Sequence, residues 1–354
     1  MIALLLASLT ALNPTQTDYY VYVAAESSDE VFLARFDGER AEVVERIEVG
    51  FMATEIEGPH GLTVEPGGEH WYVSMAHGKP FGLLYKYRTS DNTLVGEAEL
   101  GLFPATMQIS EASGLLYCVN FDLHGDMTPS SVSVVDFEEM VEVERVTTGS
   151  MPHGSRLSPD GTRHYSCAMM TDEVYEIDAL GFEVLRTLRL SDGTGGLAPR
   201  SEGEHHDAVT KPTWIQPHPK LPRAYVCLNG VAQVVEVDLE DWRITRRFPT
   251  GRGPYNLDVS PDGKLLTVTY KGSAALGVWD LGRGEELERI ETSQKITHGV
   301  VISPDGRYAF VSCEGVGAEL GTLEIVDLKR LKLVTSLELG LQAGGIAFWK
   351  MEQS

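Results

Sequence analysis

The chain has 354 residues, 42% of them apolar, and a formal charge of -23 from 52 acidic against 29 basic side chains. This composition can fill a buried core, and the absence of any Lys/Arg run excludes a nucleic-acid surface, which must neutralise phosphates. Beyond a short N-terminal apolar run, no segment has the length of a membrane-spanning helix.

Residues 2–12 are rich in Ala and Leu and end at Asn13-Pro14. The run has the length of a signal-peptide apolar region, although no Lys or Arg precedes it. Residues 1–17 are therefore expected to be a leader or an N-terminal arm. As a leader they imply a periplasmic or extracellular protein; as an arm, a cytoplasmic one.

From residue 18 onward the chain repeats. Units open at 59, 104, 152, 212, 254 and 297, with a degenerate start at 343, so the period is mostly 42–48 residues with one unit of 60. Four short strands within 40–50 residues are the pattern of a propeller blade. In each unit an opening Pro leads an inner strand, then a turn such as Ser158-Pro159-Asp160-Gly161 or Ser303-Pro304-Asp305-Gly306. Pro and Gly stand there where a β-turn needs them. A second strand follows (Tyr72-Val73-Ser74, Tyr117-Cys118-Val119-Asn120), then a third ending in apolar-Asp (Ile177-Asp178, Val237-Asp238), then a fourth.

The first unit starts at its second strand, Tyr20-Val21-Tyr22-Val23, and Gly345-Ile346-Ala347-Phe348-Trp349 reads as a spare inner strand. Pairing the two would close the ring and remove its open sheet edges. The expectation is an all-β, seven-bladed β-propeller forming one domain over residues 18–354. Cys118, Cys167, Cys227 and Cys313 fall in four different units without CxxC spacing, as buried thiols rather than disulfides.

The Pro-x-Gly openings, the Ser-Pro-Asp-Gly turns and strands such as Tyr117-Cys118-Val119-Asn120 resemble the YVTN family of seven-bladed propellers over residues 18 to 350. Relatives of that architecture include surface-layer proteins, lactonase-like proteins, the haem d1 domain of nitrite reductase and the copper domain of nitrous oxide reductase. The resemblance implies the architecture and leaves the function open.

Connections from the fourth strand to the next inner strand emerge at the top mouth of the central channel. Pro-His-Gly at His60 and His153, and Thr297-His298-Gly299, place three histidines there, from blades 2, 4 and 7, whereas the other blades carry Ala105, Thr213, Tyr255 and Gly344. Three imidazoles converging on one axis form a metal site suited to copper, iron or zinc; hydrogen-bonding loop histidines are the alternative. The 60-residue unit inserts a polar loop on the same face, with His206 as a fourth ligand and His205, Asp207 and Glu204 as lid and supporting residues. His77 and His124 lie on second-to-third-strand loops further from the axis, with Glu26, Lys271, Asn229 and Glu314 at corresponding strand ends. His70, His164 and His218 fall at the bottom.

The expected function is metal-dependent chemistry on a small molecule at the top face, oxidoreductase with copper or iron and hydrolytic with zinc. A haem stays compatible with the histidines. The rival is a non-catalytic module that binds a ligand or a protein there, and a third reading is a metal-independent lactonase-like hydrolase.

Overall fold

The computed structural model describes residues 16–353 except 53, 192–194 and 197–207. Residues 1–15 of the expected leader or arm (1–17) and the loop residues Glu204, His205, His206 and Asp207 lie outside the described residues. The strands assemble into seven antiparallel sheets of a seven-bladed β-propeller, each taken in order from an inner to an outer strand. The inner strands are Pro59–Val64, Pro104–Ser110, Pro152–Leu157, Pro212–Pro217, Pro254–Val259 and Ile296–Ile302, in blades 2 to 7.

Blade 1 is assembled from both ends of the repeat array. Its three outer strands are Thr17–Ala25, Glu30–Phe36 and Ala41–Glu48, and its inner strand is Ala343–Gln353. The closing register pairs Val21 with Phe348, Tyr22 with Ala347 and Val23 with Ile346.

The recurring motifs have local physical reasons. In Ser158-Pro159-Asp160-Gly161 the Gly161 N–H donates to Ser158 O at 2.8 Å, and Gly161 adopts φ +70°, a conformation Gly reaches without strain. The aspartate ending the third strand accepts backbone N–H groups two and three residues on: Asp178 from Leu180 and Gly181, Asp238 from Glu240 and Asp241. Each such turn returns the chain into the fourth strand.

The glycine of Pro-x-Gly answers a different need. A Cβ on Gly61 would lie 1.8 Å from Ala105 O, and one on Gly154 would lie 2.4 Å from Thr213 O. Inner strands of neighbouring blades approach too closely there for any side chain.

Seven buried apolar clusters are found among the described residues, one between each pair of neighbouring blades. Between blades 1 and 2, Tyr22 stacks on Trp71 at 5.0 Å and Trp71 on Tyr87 at 4.3 Å. Cys118, Cys167, Cys227 and Cys313 are free, and all four are buried. No helix among the described residues is long and apolar enough to cross a membrane.

Candidate functional site

The residue after each opening Pro (or Thr297) points into the ring, so His60, Ala105, His153, Thr213, Tyr255, His298 and Gly344 form its first tier. Their rings meet near the axis. His60 lies 6.3 Å from His153 and 6.1 Å from His298 between ring centroids, and Tyr255 lies 5.0 Å from His153 and 4.8 Å from His298. His60 thus neighbours both His153 and His298, and Tyr255 lies between the latter two.

Their hydrogen bonds make them unequal. His153 is fully buried, and its Nδ1 sits 3.0 Å from Thr213 O. A carbonyl only accepts, so Nδ1 carries the proton and Nε2 accepts from the Tyr255 hydroxyl at 2.7 Å. Burial first, and then the neighbouring His60, lower the pKa of His153 to about 3, so it is neutral. His298 is held well below the ordinary imidazole value by burial and then by Lys271. Its Nδ1 is buried without a hydrogen-bond partner, and its Nε2 lies 3.5 Å from Glu314 Oε1.

His60 is partnered by an acid instead. Its Nδ1 donates to Glu26 Oε2 at 2.7 Å, and His77 Nε2 donates to Glu26 Oε1 at 2.9 Å. Glu26 opens the short helical turn Glu26–Ser28 that follows the second strand of blade 1, and it is buried. Burial alone would raise its pKa, but the contacts with His60 and His77 outweigh that and hold it well below the carboxylate range. Glu26 therefore stays ionised, and it raises the pKa of His77 in return. No hydrogen bond engages His60 Nε2 among the described residues.

Across the mouth, Lys271 stands 3.2 Å from Glu314 Oε1 and 4.2 Å above the Tyr255 ring. Burial opposes its charge, but Tyr255, Glu314 and Glu26 keep its pKa above the ordinary value. His124 stacks beside His77 at 6.1 Å, and Phe103 packs against His60, His77 and His124. An apolar groove of about 620 Å³ runs between His77 and His124, floored by Phe103 and Leu102. Sequence reasoning named Glu26 and Lys271 only as polar rim positions. Their strand-end placement was the available signal, and its pairing with His60 was not.

As a ligand set for a metal, the tier commits both nitrogens of His153 and one of His60 to protein partners. Among the described residues, the group whose ligand atoms all fall within 4.8 Å of one another is Glu65, Glu69 and His70. That group lies at the bottom face, beside the Glu65–His70 contact of 2.8 Å. The other bottom histidines are structural: His164 stacks on Tyr117 at 5.0 Å, and His218 Nδ1 accepts from the Lys220 and Leu221 N–H groups.

A family model described as "Lactonase, 7-bladed beta-propeller" matches residues 21–318. No curated protein matches the chain. Among solved structures, the Pseudomonas aeruginosa periplasmic gluconolactonase PpgL is similar with TM-score 0.73 and 18% identity, over 94% of this chain and 99% of that one. Kuenenia stuttgartiensis hydrazine synthase is similar with TM-score 0.67 and 17% identity, over 84% and 93%. A functionally unknown protein from Desulfotomaculum acetoxidans has TM-score 0.70 and 14% identity, over 93% and 98%. At such identities these structures share the fold.

Proposed function

The chain belongs to the family of seven-bladed β-propeller lactonases, and on that premise we propose that it opens the ring of a small lactone at the top of the channel. The observation that carries this is Glu26, an ionised buried carboxylate bridging His60 and His77 opposite the Lys271 ammonium. A carboxylate on Nδ1–H fixes the imidazole tautomer and stabilises the imidazolium that forms, which makes Nε2 a general base.

In this reading a water gives its proton to His60 Nε2 as its oxygen bonds to the lactone carbonyl carbon. The carbonyl oxygen becomes an oxyanion, and Lys271 is the cation positioned to stabilise it. The ring C–O bond then breaks as the carbonyl re-forms, His60 returns the proton to the leaving alkoxide, and a hydroxy acid departs. Because hydrolysis releases acid, a pH-stat assay over glucono-δ-lactone and unsubstituted γ- and δ-lactones tests the reading. Saturable turnover above the uncatalysed rate supports it, and none with any of these lactones sinks it.

A second reading places copper, iron or zinc at the tier, on His60, His153 and His298, with His206 as the expected fourth ligand. It is favoured by the unpartnered Nδ1 of His298. It requires the Tyr255 hydroxyl to leave His153 Nε2. Elemental analysis after incubation with each metal decides it: near-stoichiometric metal lost in His298→Gln supports it, and no retained metal ends it. For either chemistry, export through residues 1–17 is our proposal, supported by the apolar run at 2–12.

A further inference from the structure

Below the histidine tier the channel widens into a chamber of about 300 Å³, roofed by His60, His153 and His298. Its wall comes from the fourth residue after each opening position: Thr63, Gln108, Arg156, Gln216 and Asp258 on one arc, then Val301 and Ala347 on the other. One side is polar and charged, and the other is apolar, continuing through Ile346 and Phe348.

The charged side chains of this chamber are Arg156 and Asp258, which feel each other's charge without touching. Arg156 donates from Nη1 to Ser155 O at 2.8 Å, and its guanidinium lies flat above Trp214, 4.4 Å from the ring centroid. No carboxylate among the described residues lies within 4.0 Å of it. Asp258, across the chamber, has both oxygens occupied by backbone N–H groups, of Val259 at 2.9 Å and of Ile302 at 2.8 Å. A guanidinium has five N–H donors in a fixed fork that matches a carboxylate, and most of the Arg156 fork is unused.

Three polar atoms of residues that line the chamber, Trp214 Nε1, Asn256 Oδ1 and His298 Nδ1, are buried without a hydrogen-bond partner. Their residues are 5%, 4% and 6% exposed. Those three atoms have almost no accessible area, so the free donors that a ligand could meet in the chamber are those of Arg156.

We propose that the lower channel is a binding chamber for a small aliphatic carboxylate, its anionic head on Arg156 and its hydrocarbon against Val301 and Ala347. The divided wall selects this class: an inorganic oxyanion would meet the apolar arc with nothing to offer it. The volume sits at the small end of ligand pockets. The assignment rests on Arg156 and the apolar arc and not on the reaction proposed at the mouth, although the histidine tier borders both.

The test is isothermal titration of the whole protein with hexanoate, hexanamide and inorganic phosphate. Hexanoate should bind saturably, hexanamide and phosphate at least tenfold more weakly, and Arg156→Gln should weaken hexanoate at least tenfold with its circular dichroism unchanged. Should Arg156→Gln not fold, Val301→Phe, which narrows the apolar arc without touching the cation, should weaken hexanoate in the same way. Glu26→Gln, at the mouth and outside the chamber lining, should leave hexanoate binding unaltered. The proposal is overturned by absence of saturable hexanoate binding, by phosphate binding as tightly, by affinity retained in the chamber variants, or by affinity lost in Glu26→Gln.

Discussion

Glu26→Gln is expected to lower kcat for lactone hydrolysis by about 10²–10⁴-fold, the range over which a positioned general base contributes, with KM little changed. The substitution keeps the side chain's size, so the short turn at Glu26–Ser28 has no steric reason to move. What disappears is the negative charge that His60 and His77 share. The neutral amide can still accept from His60 Nδ1, but it no longer stabilises an imidazolium there. Its NH2 group also meets His77 Nε2, which must give up its own proton to accept. His77 therefore supplies a readout separate from activity. Its pKa is raised chiefly by the hydrogen bond to Glu26, so in Glu26→Gln it should fall toward or below the ordinary imidazole value, visible by NMR titration. A variant with that fall and unchanged kcat would remove Glu26 from the chemistry. One without the fall would show that the carboxylate does not reach His77 in solution.

The architecture was legible because its signals are local and repeated. A turn motif, a Pro-x-Gly opening and a period near 45 residues each report on a few neighbouring residues, and every blade restates them. The closing strand could be read for the same reason, as the one inner strand missing from the first unit. The placement of His60, His153 and His298 in one tier also follows from repeat position.

Their chemistry does not follow, because partners are set by neighbours far away in sequence. Glu26 meets His60 across 34 residues, and Tyr255 meets His153 across 102. Three histidines in equivalent positions thereby become a carboxylate-paired ring, a buried hydrogen-bonded neutral ring and a ring with one nitrogen unpartnered. The polar residues four places beyond the opening Pro, Arg156 and Asp258 among them, did carry a signal: polar side chains inside an inner-strand pattern. Attention to the histidine position alone passed over that second ring.

Deleting residues 343–353 is expected to abolish the cooperative fold. The strand Ala343–Gln353 supplies the whole inner edge of blade 1, so its loss leaves the strand Thr17–Ala25 with one unpaired edge next to the channel. Its contacts also tie the neighbouring blades together. Trp349 Nε1 donates to Gly68 O in blade 2 at 3.1 Å, Ser312 of blade 7 donates to Gly344 O, and Trp349 packs on Tyr22 at 5.7 Å. The ring would open between blades 7 and 2, and two of the seven apolar clusters would face water. A domain is stable by only about 5–15 kcal/mol, and burying one large side chain is worth roughly 1.5–3 kcal/mol. Loss of Ile346, Ala347, Phe348 and Trp349 together is of the same order as the total. The truncated chain should therefore melt without a cooperative transition and associate through its open edge. A synthetic peptide of residues 343–353 should restore the transition by adding back the strand. A truncated protein that melts cooperatively at the parent temperature would mean that closure contributes little to stability. Rescue by the peptide, and none by the same composition in scrambled order, would assign the stability to this strand and its register.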